Sequence, residues 1–244
     1  MPAGPQAADA TGYRRVLLKL SGEVFGGQGR NYDVERLRRI AGELRSVREA
    51  GIELAVVVGG GNLLRGAELA SAGLDRASLD QAGMLATVMN GLVLREVLAQ
   101  DGVEARVCSA VSMQKVCETF FRPRVLRHLD RGRIPILVGG TGNPFFTTDT
   151  TAVLRARELD ADVVLKATKV DGVYTSDPKL DSNAVRLGRT SYQEVLQKRL
   201  RVMDATAIAL CQETSMPIVV FDLTVEGNVL RAARGEPVGT LISQ

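Results

Sequence analysis

The stretch Thr141-Gly142-Asn143-Pro144-Phe145-Phe146-Thr147-Thr148-Asp149 decides how this chain is read. It follows Ile134 to Val138, an apolar run short enough for a buried strand, and precedes Thr150 to Leu159, whose apolar residues recur at helical spacing. It is therefore a strand-to-helix loop, and in an α/β sheet such loops lie at the carboxyl end of the strand, where ligands bind. Gly142, with Gly139 and Gly140 just before the stretch, lets backbone approach a ligand, the hydroxyls and amide offer hydrogen bonds, and Asp149 adds a carboxylate. That inventory suits a polar, anionic small molecule.

The segments on either side repeat the strand-loop-helix pattern. Tyr13 to Leu20 ends in the apolar run Val16-Leu17-Leu18-Lys19-Leu20, interrupted only by Lys19, as in a strand buried on both faces. A lysine there either snorkels to solvent or faces a bound anion. Asp33 is expected to cap a helix whose Leu37, Ile40, Ala41, Leu44 and Val47 form one stripe and which Gly51 ends. Glu53 to Val58 reads as a second buried strand running into Gly59-Gly60-Gly61-Asn62, where consecutive glycines expose backbone N–H groups as phosphate-cradling loops do. Asp80 begins a long apolar helix, Ala105 to Ser109 is a third strand, and Pro123 to Asp130 a short helix. Asp162 to Ala167 is another strand, followed by a turn-rich excursion through Asp171-Gly172 and Asp177-Pro178. Ser191 to Glu194 has capping-box spacing, Asp204 is a further cap, and Ile218 to Phe221 and Thr240 to Ile242 are the last strands.

Composition narrows the function. With 244 residues, 45% hydrophobic and 24% charged, the chain can bury about 70–75% of its unfolded surface as one α/β domain over residues 13–244. Residues 1–12 read as a disordered tail and contain no secretory core region. The net charge of +3 is spread among acids, so nucleic acid is not an expected partner, and no uninterrupted apolar run reaches membrane-spanning length. Cys108, Cys117 and Cys211 show no CxxC pairing and suit a reduced cytoplasmic protein. The single histidine, His128, is expected on a solvated helix position, which removes support from triad or histidine-rich metal chemistry. The arginines at 122, 124, 127, 131 and 133 read as a solvated face, an anion site or a subunit contact.

Four strand ends carry ligand-type sequences: Lys19-Leu20-Ser21-Gly22, Gly59-Gly60-Gly61-Asn62, Gly139-Gly140-Thr141-Gly142-Asn143 and Lys166-Ala167-Thr168-Lys169. In a parallel sheet they open on one edge as one extended site. No Gly-Lys dipeptide exists for a Walker A loop, and Phe145 stands where a dinucleotide fingerprint needs a small residue. The lysine on the first strand and the long loop argue for phosphoryl transfer over hydride transfer.

Leu18 to Glu23, Gly59-Gly60-Gly61-Asn62-Leu63-Leu64-Arg65-Gly66, Thr141 to Asp149, Met84-Leu85-Ala86-Thr87-Val88-Met89-Asn90 and Lys166 to Tyr174 together resemble the bacterial uridylate kinase group of the amino acid kinase superfamily. The resemblance runs from about Tyr13 to the C-terminus. It implies a three-layer αβα sandwich with a mainly parallel central sheet, a homohexamer, transfer of the ATP γ-phosphoryl to UMP with Mg²⁺, activation by GTP and inhibition by UTP. By resemblance, Lys19, Leu20, Ser21, Gly22, Gly61, Arg65, Thr168, Tyr174 and Asp177 belong to the ATP side. Gly60, Asp80, Thr141, Gly142, Asn143, Pro144, Phe145, Phe146, Thr147 and Thr148 belong to the UMP side.

Residue chemistry fits those assignments. Asp80 can accept from ribose hydroxyls, Asn143 and nearby threonines can reach the uracil edge, and Tyr174 can pack on adenine. Lys19 and Arg65 are the candidates for neutralising the transferring group, while Asp149 is expected to orient a cation, Lys19 or hydrated Mg²⁺, or simply to cap the following helix. No protein side chain is expected to bind the metal directly. For effector control the resemblance points to Arg95, Arg106 and Arg133, although Val24 to Asn31 and Arg122 depart from the family wording. A nucleotide-binding sensor without turnover and a kinase of an acyl acceptor such as glutamate or aspartate remain alternatives.

Overall fold

A computed structural model describes residues 12–27, 29–64, 73–176, 178, 180–181, 183–200 and 202–244. Arg65 and Asp177, and residues 1–11 of the expected tail, lie outside the described residues. The nine-stranded central sheet has the order β4-β3-β5-β2-β1-β6-β10-β11-β9. Its strands are β1 (Arg15–Leu20), β2 (Glu53–Val58), β3 (Ala105–Ser109), β4 (Glu118–Thr119), β5 (Ile134–Val138), β6 (Val163–Thr168), β9 (Arg189–Ser191), β10 (Ile218–Asp222) and β11 (Thr240–Ser243). Every pairing is parallel except that of β10 with β11. The excursion after β6 is a separate antiparallel hairpin, β7 (Val173–Tyr174) with β8 (Arg186–Leu187).

Alternation along the strands sorts side chains into two cores. On β1, Val16, Leu18 and Leu20 face the core shared with α1 (Val34–Glu49), α2 (Arg76–Gln100) and α7 (Asn228–Ala233). Leu17 faces the other core, shared with α3 (Arg122–Asp130), α4 (Thr148–Glu158), α5 (Tyr192–Gln197) and α6 (Ala205–Thr214). This is the expected three-layer arrangement. The α1 stripe is wholly buried, and Asp33 caps it by accepting from the Arg36 N–H. Ser191 and Glu194 close a reciprocal capping box at α5, and Asp204 caps α6 through the Ala207 N–H.

Several local expectations are corrected. Helix α2 starts at Arg76, four residues before Asp80, because Asp75 supplies the cap. By length and apolar content alone α2 could span a bilayer, yet half of its most apolar stretch is buried, packed on β3, β5 and α1 as a core helix. His128 is only 8% exposed, with its ring nitrogens 3.1 Å from Glu118 and 3.4 Å from Arg133, so an acid on β4 and an arginine before β5 draw it inward. Thr147, not Asp149, caps α4: its hydroxyl accepts from the Asp149 and Thr150 N–H groups. The short strands β4 and β9 carry no sequence pattern of their own and form by pairing with β3 and β11.

Candidate active site

The four ligand-type loops leave β5, β2, β1 and β6, which are consecutive neighbours at the centre of the sheet. Backbone contact joins two of them directly. A Cβ on Gly22 would stand 2.2 Å from the Gly61 nitrogen, and one on Gly59 would stand 2.8 Å from the Gly22 nitrogen, so no side chain fits between these loops. The Gly59 N–H also donates to the Leu20 carbonyl, 2.8 Å away.

Register then places charge at this edge. Lys19 and Lys166 are partners across the β1–β6 ladder and share the face that carries Leu17 and Val164. Asp149, in the first turn of α4, reaches between them. One carboxylate oxygen lies 2.9 Å from Lys19 Nζ as an ion pair, and the other accepts from Lys166 Nζ at 2.7 Å. Lys166 also donates to the Val202 carbonyl. All three side chains are at most 14% exposed. Burial pushes the Asp149 carboxyl up, but Lys19 and then Lys166 outweigh it and hold the group below its ordinary value. Burial holds Lys166 below the usual lysine range, with Asp149 opposing and the like charge of Lys19 adding to the shift. The helix N-terminus further favours the anionic form of Asp149. Two ammonium groups thus share one carboxylate at the edge where the glycine loops open, an arrangement that attracts a further anion.

The loop after β5 is held by polar groups of its own and of neighbouring elements. Gly139, Gly140 and Gly142 adopt positive φ, as does Phe145 at 71°, a costly conformation for an aromatic residue. The Phe145 N–H donates to Asp80 Oδ2 at 2.8 Å, and Arg76 Nε donates to Asp80 Oδ1 at 2.7 Å. Both carboxylate oxygens of Asp80 therefore already accept a hydrogen bond, and Asp80 fixes the loop. The Thr141 hydroxyl bonds the backbone of Asn143, and the Thr147 hydroxyl donates to Asp204 at 2.5 Å. Pro144 and Thr148 are half-buried, and Phe145 and Phe146 are exposed.

On the other flank, Leu20 is buried and Ser21 half-buried where β1 enters a short 3₁₀ turn, Gly22–Val24. The Thr168 hydroxyl donates to the carbonyls of Phe221 and Val170, and Tyr174 donates to Asp171 on the hairpin. A concavity of about 220 Å³, lined among others by Asp171, Arg186 and Asp222, lies beside this flank and does not include Lys19. Arg106 and Arg133 converge on Glu104 away from the glycine loops, and Arg95 is half-buried on α2.

Lys166 belongs to one of the four ligand-type strand ends, but the sequence pattern assigns it no role of its own. Its signal was present: it breaks the apolar run Val163 to Ala167 just as Lys19 breaks Val16 to Leu20. Thr87 and Asn90, buried polar side chains inside α2, stand in the Met84 to Asn90 run but have no individual role legible there, because within an apolar helix they look like isolated exceptions. Among the described residues no three His, Cys, Asp or Glu side chains converge as a metal cage. With Asp149 already shared by two lysines, the donor set fits a cation that arrives on nucleotide phosphates.

Solved structures share this fold over nearly the whole chain. A UMP kinase from Bacillus anthracis matches with a TM-score of 0.92 and 41% identity, covering 95% of this chain and 96% of that one. A UMP kinase from Ureaplasma parvum gives 0.89 and 31% over 95% and 99%, and a uridylate kinase from Archaeoglobus fulgidus gives 0.72 and 30% over 93% and 99%. The model of the amino acid kinase family matches residues 14–222, from the start of β1 to the end of β10 and so through all four loops and the Lys19-Asp149-Lys166 cluster, and the chain belongs to that family.

Proposed function

We propose that this chain is a UMP kinase, transferring the γ-phosphoryl of ATP to UMP to give UDP and ADP in pyrimidine nucleotide synthesis. The observation that carries the reading is the excess of positive charge around Asp149 at the meeting point of four backbone-lined loops, supported by chain-length likeness to UMP kinases. A phosphate oxygen of UMP is already ionised, so it attacks without a general base. The new O–Pγ bond forms as the bond from Pγ to the bridging oxygen breaks, and that electron pair leaves with ADP.

Catalysis on this reading is alignment plus neutralisation of charge on the transferring group. Lys19 and Arg65 contact that charge, and Lys166 joins them as a second ammonium. Asp149 pairs with both lysines and holds them aimed, and does not touch phosphate. Leu20, Ser21, Gly22, Gly61, Thr168, Tyr174 and Asp177 form the ATP side. Gly60, Asp80 and the residues from Thr141 to Thr148 form the UMP side, with Asp80 orienting the loop through Phe145 while it accepts from ribose. Mg²⁺ held on the ATP phosphates would supply further neutralisation of charge on the transferring group, beside that from Lys19, Lys166 and Arg65.

Activation by GTP through Arg95, Arg106 and Arg133, inhibition by UTP, a homohexameric assembly and a cytoplasmic location complete the proposal. The test is ADP release with ATP and, in parallel, UMP, CMP, glutamate and aspartate. Turnover with UMP is expected. Turnover only with an amino acid overturns the nucleotide reading, and silence with every acceptor favours a sensor. A GTP titration without effect removes the regulatory part alone.

A further inference from the structure

Helix α2 touches the site along one side with its backbone and two buried polar side chains. Asn90 is fully buried, and all its hydrogen-bonding atoms are engaged. Its amide nitrogen donates to the Gly59 carbonyl and to Asn62 Oδ1, both at 2.7 Å, and its oxygen accepts from Asn62 Nδ2 at 3.1 Å. One turn earlier on the same face, the Thr87 hydroxyl, 3% exposed, accepts from the Gly139 N–H at 2.8 Å while donating to the Met84 carbonyl. One helix therefore grips the loop after β2 and the loop after β5.

The grip has little slack. A Cβ on Gly60 would lie 2.9 Å from both Ala86 Cβ and the Gly83 carbonyl oxygen. A Cβ on Gly91 would lie 2.5 Å from Val138 Cγ1, so the helix backbone rests on the strand that feeds the second loop. A buried amide and hydroxyl in an apolar helix carry a desolvation cost unless every partner is in place. A leucine and a valine would serve the helix as core residues without that cost.

We propose that Asn90 and Thr87 are positioning residues that fix the spacing and orientation of the two glycine loops, and through them the alignment of the donor and acceptor phosphates. Neither side chain touches substrate. The inference rests on the kinase reading above for its activity test, and on amide exchange for a test independent of it.

The experiment compares Asn90→Ala, Thr87→Val, Thr87→Ser and, as a control in the same helix, Leu94→Ala, whose side chain is fully buried. Each is measured for kcat and KM with ATP and UMP, for Tm, and for hydrogen exchange in peptides spanning residues 59–62 and 139–143. Asn90→Ala and Thr87→Val are expected to lower kcat by about 10–100-fold with KM changed less than about threefold, the pattern of misalignment rather than lost binding. Thr87→Ser, which keeps the hydroxyl, stays within about threefold of the parent, and Leu94→Ala within about twofold despite a lower Tm. Asn90→Ala should speed exchange in both loops at once. An unchanged kcat in folded Asn90→Ala, or an equal loss in Leu94→Ala, overturns the proposal. Should Asn90→Ala fail to fold, the contrast between Thr87→Val and Thr87→Ser decides. Should the parent make no ADP with UMP, the kinase reading fails, and exchange alone judges the proposal: loosening confined to residues 59–62 overturns it.

Discussion

At the amino-terminal edge of the sheet, Arg15 on β1 stands in register with Glu53 on β2 and donates to it at 2.6 Å, while a second guanidinium nitrogen donates to the Leu159 carbonyl at the end of α4. At the carboxyl edge of the same strand and on the same face, Lys19 stands in register with Lys166, a like charge. Both clusters are covered by α4, the first at its C-terminus and the second in its first turn. The first matches one cation to one carboxylate and satisfies the remainder with backbone. The second gathers two cations on one carboxylate. Like charges in register destabilise a sheet, so a fold that keeps such a pair pays in stability for something the pair does. On the proposed function, the excess positive charge is what separates the reactive edge from the structural one.

That contrast is broken most sharply by Lys19→Ala, expected to lower kcat by on the order of 10²–10³ in a steady-state ADP-release assay, the usual cost of a lost transition-state charge contact. Near-normal turnover would return Lys19 to a structural role. Glu53→Gln tests the opposite edge: urea unfolding should report a loss of about 2–3 kcal/mol from the unpaired arginine, with kcat unchanged. A fall in kcat there would mean that the two edges are not separable.

Acid titration sharpens the comparison further. The folded-state value of Asp149 lies below its unfolded value, so its stabilising contribution is complete above the ordinary carboxylate range and is lost as pH falls through the depressed value. The parent should therefore lose more stability than Asp149→Asn between about pH 6 and about pH 3. Parallel urea midpoints for the two proteins would contradict the pairing. The smallest effect belongs to neither edge: Asp33→Ala removes the α1 cap and should cost about 1 kcal/mol with no change in turnover.

Much of this layout was legible in the chain. The runs Val16 to Leu20, Glu53 to Val58 and Ile134 to Val138 are strands because continuous apolar sequence suits burial on both faces, and Asp33, Ser191 and Asp204 announce their helices chemically. The loops were legible as ligand-type sequence because glycine and hydroxyl residues cluster at strand ends. The meeting of Lys19 with Lys166 over Asp149 was not, since it depends on which strands are neighbours, and β1 lies beside β6 across more than 140 residues of chain. His128 was misplaced for the same reason: the residues that draw it inward, Glu118 and Arg133, act through tertiary packing rather than local pattern.

The register of Lys19 against Lys166 also bears on how the chain finds its fold. A slip of β6 by one residue would turn Lys166 toward the apolar core of α1 and α2 and leave a buried ammonium without a carboxylate. Mispaired chains would therefore be costly, and the charges to which the proposed function gives a chemical role double as a check on strand alignment, discriminating against near-miss folds before any ligand binds.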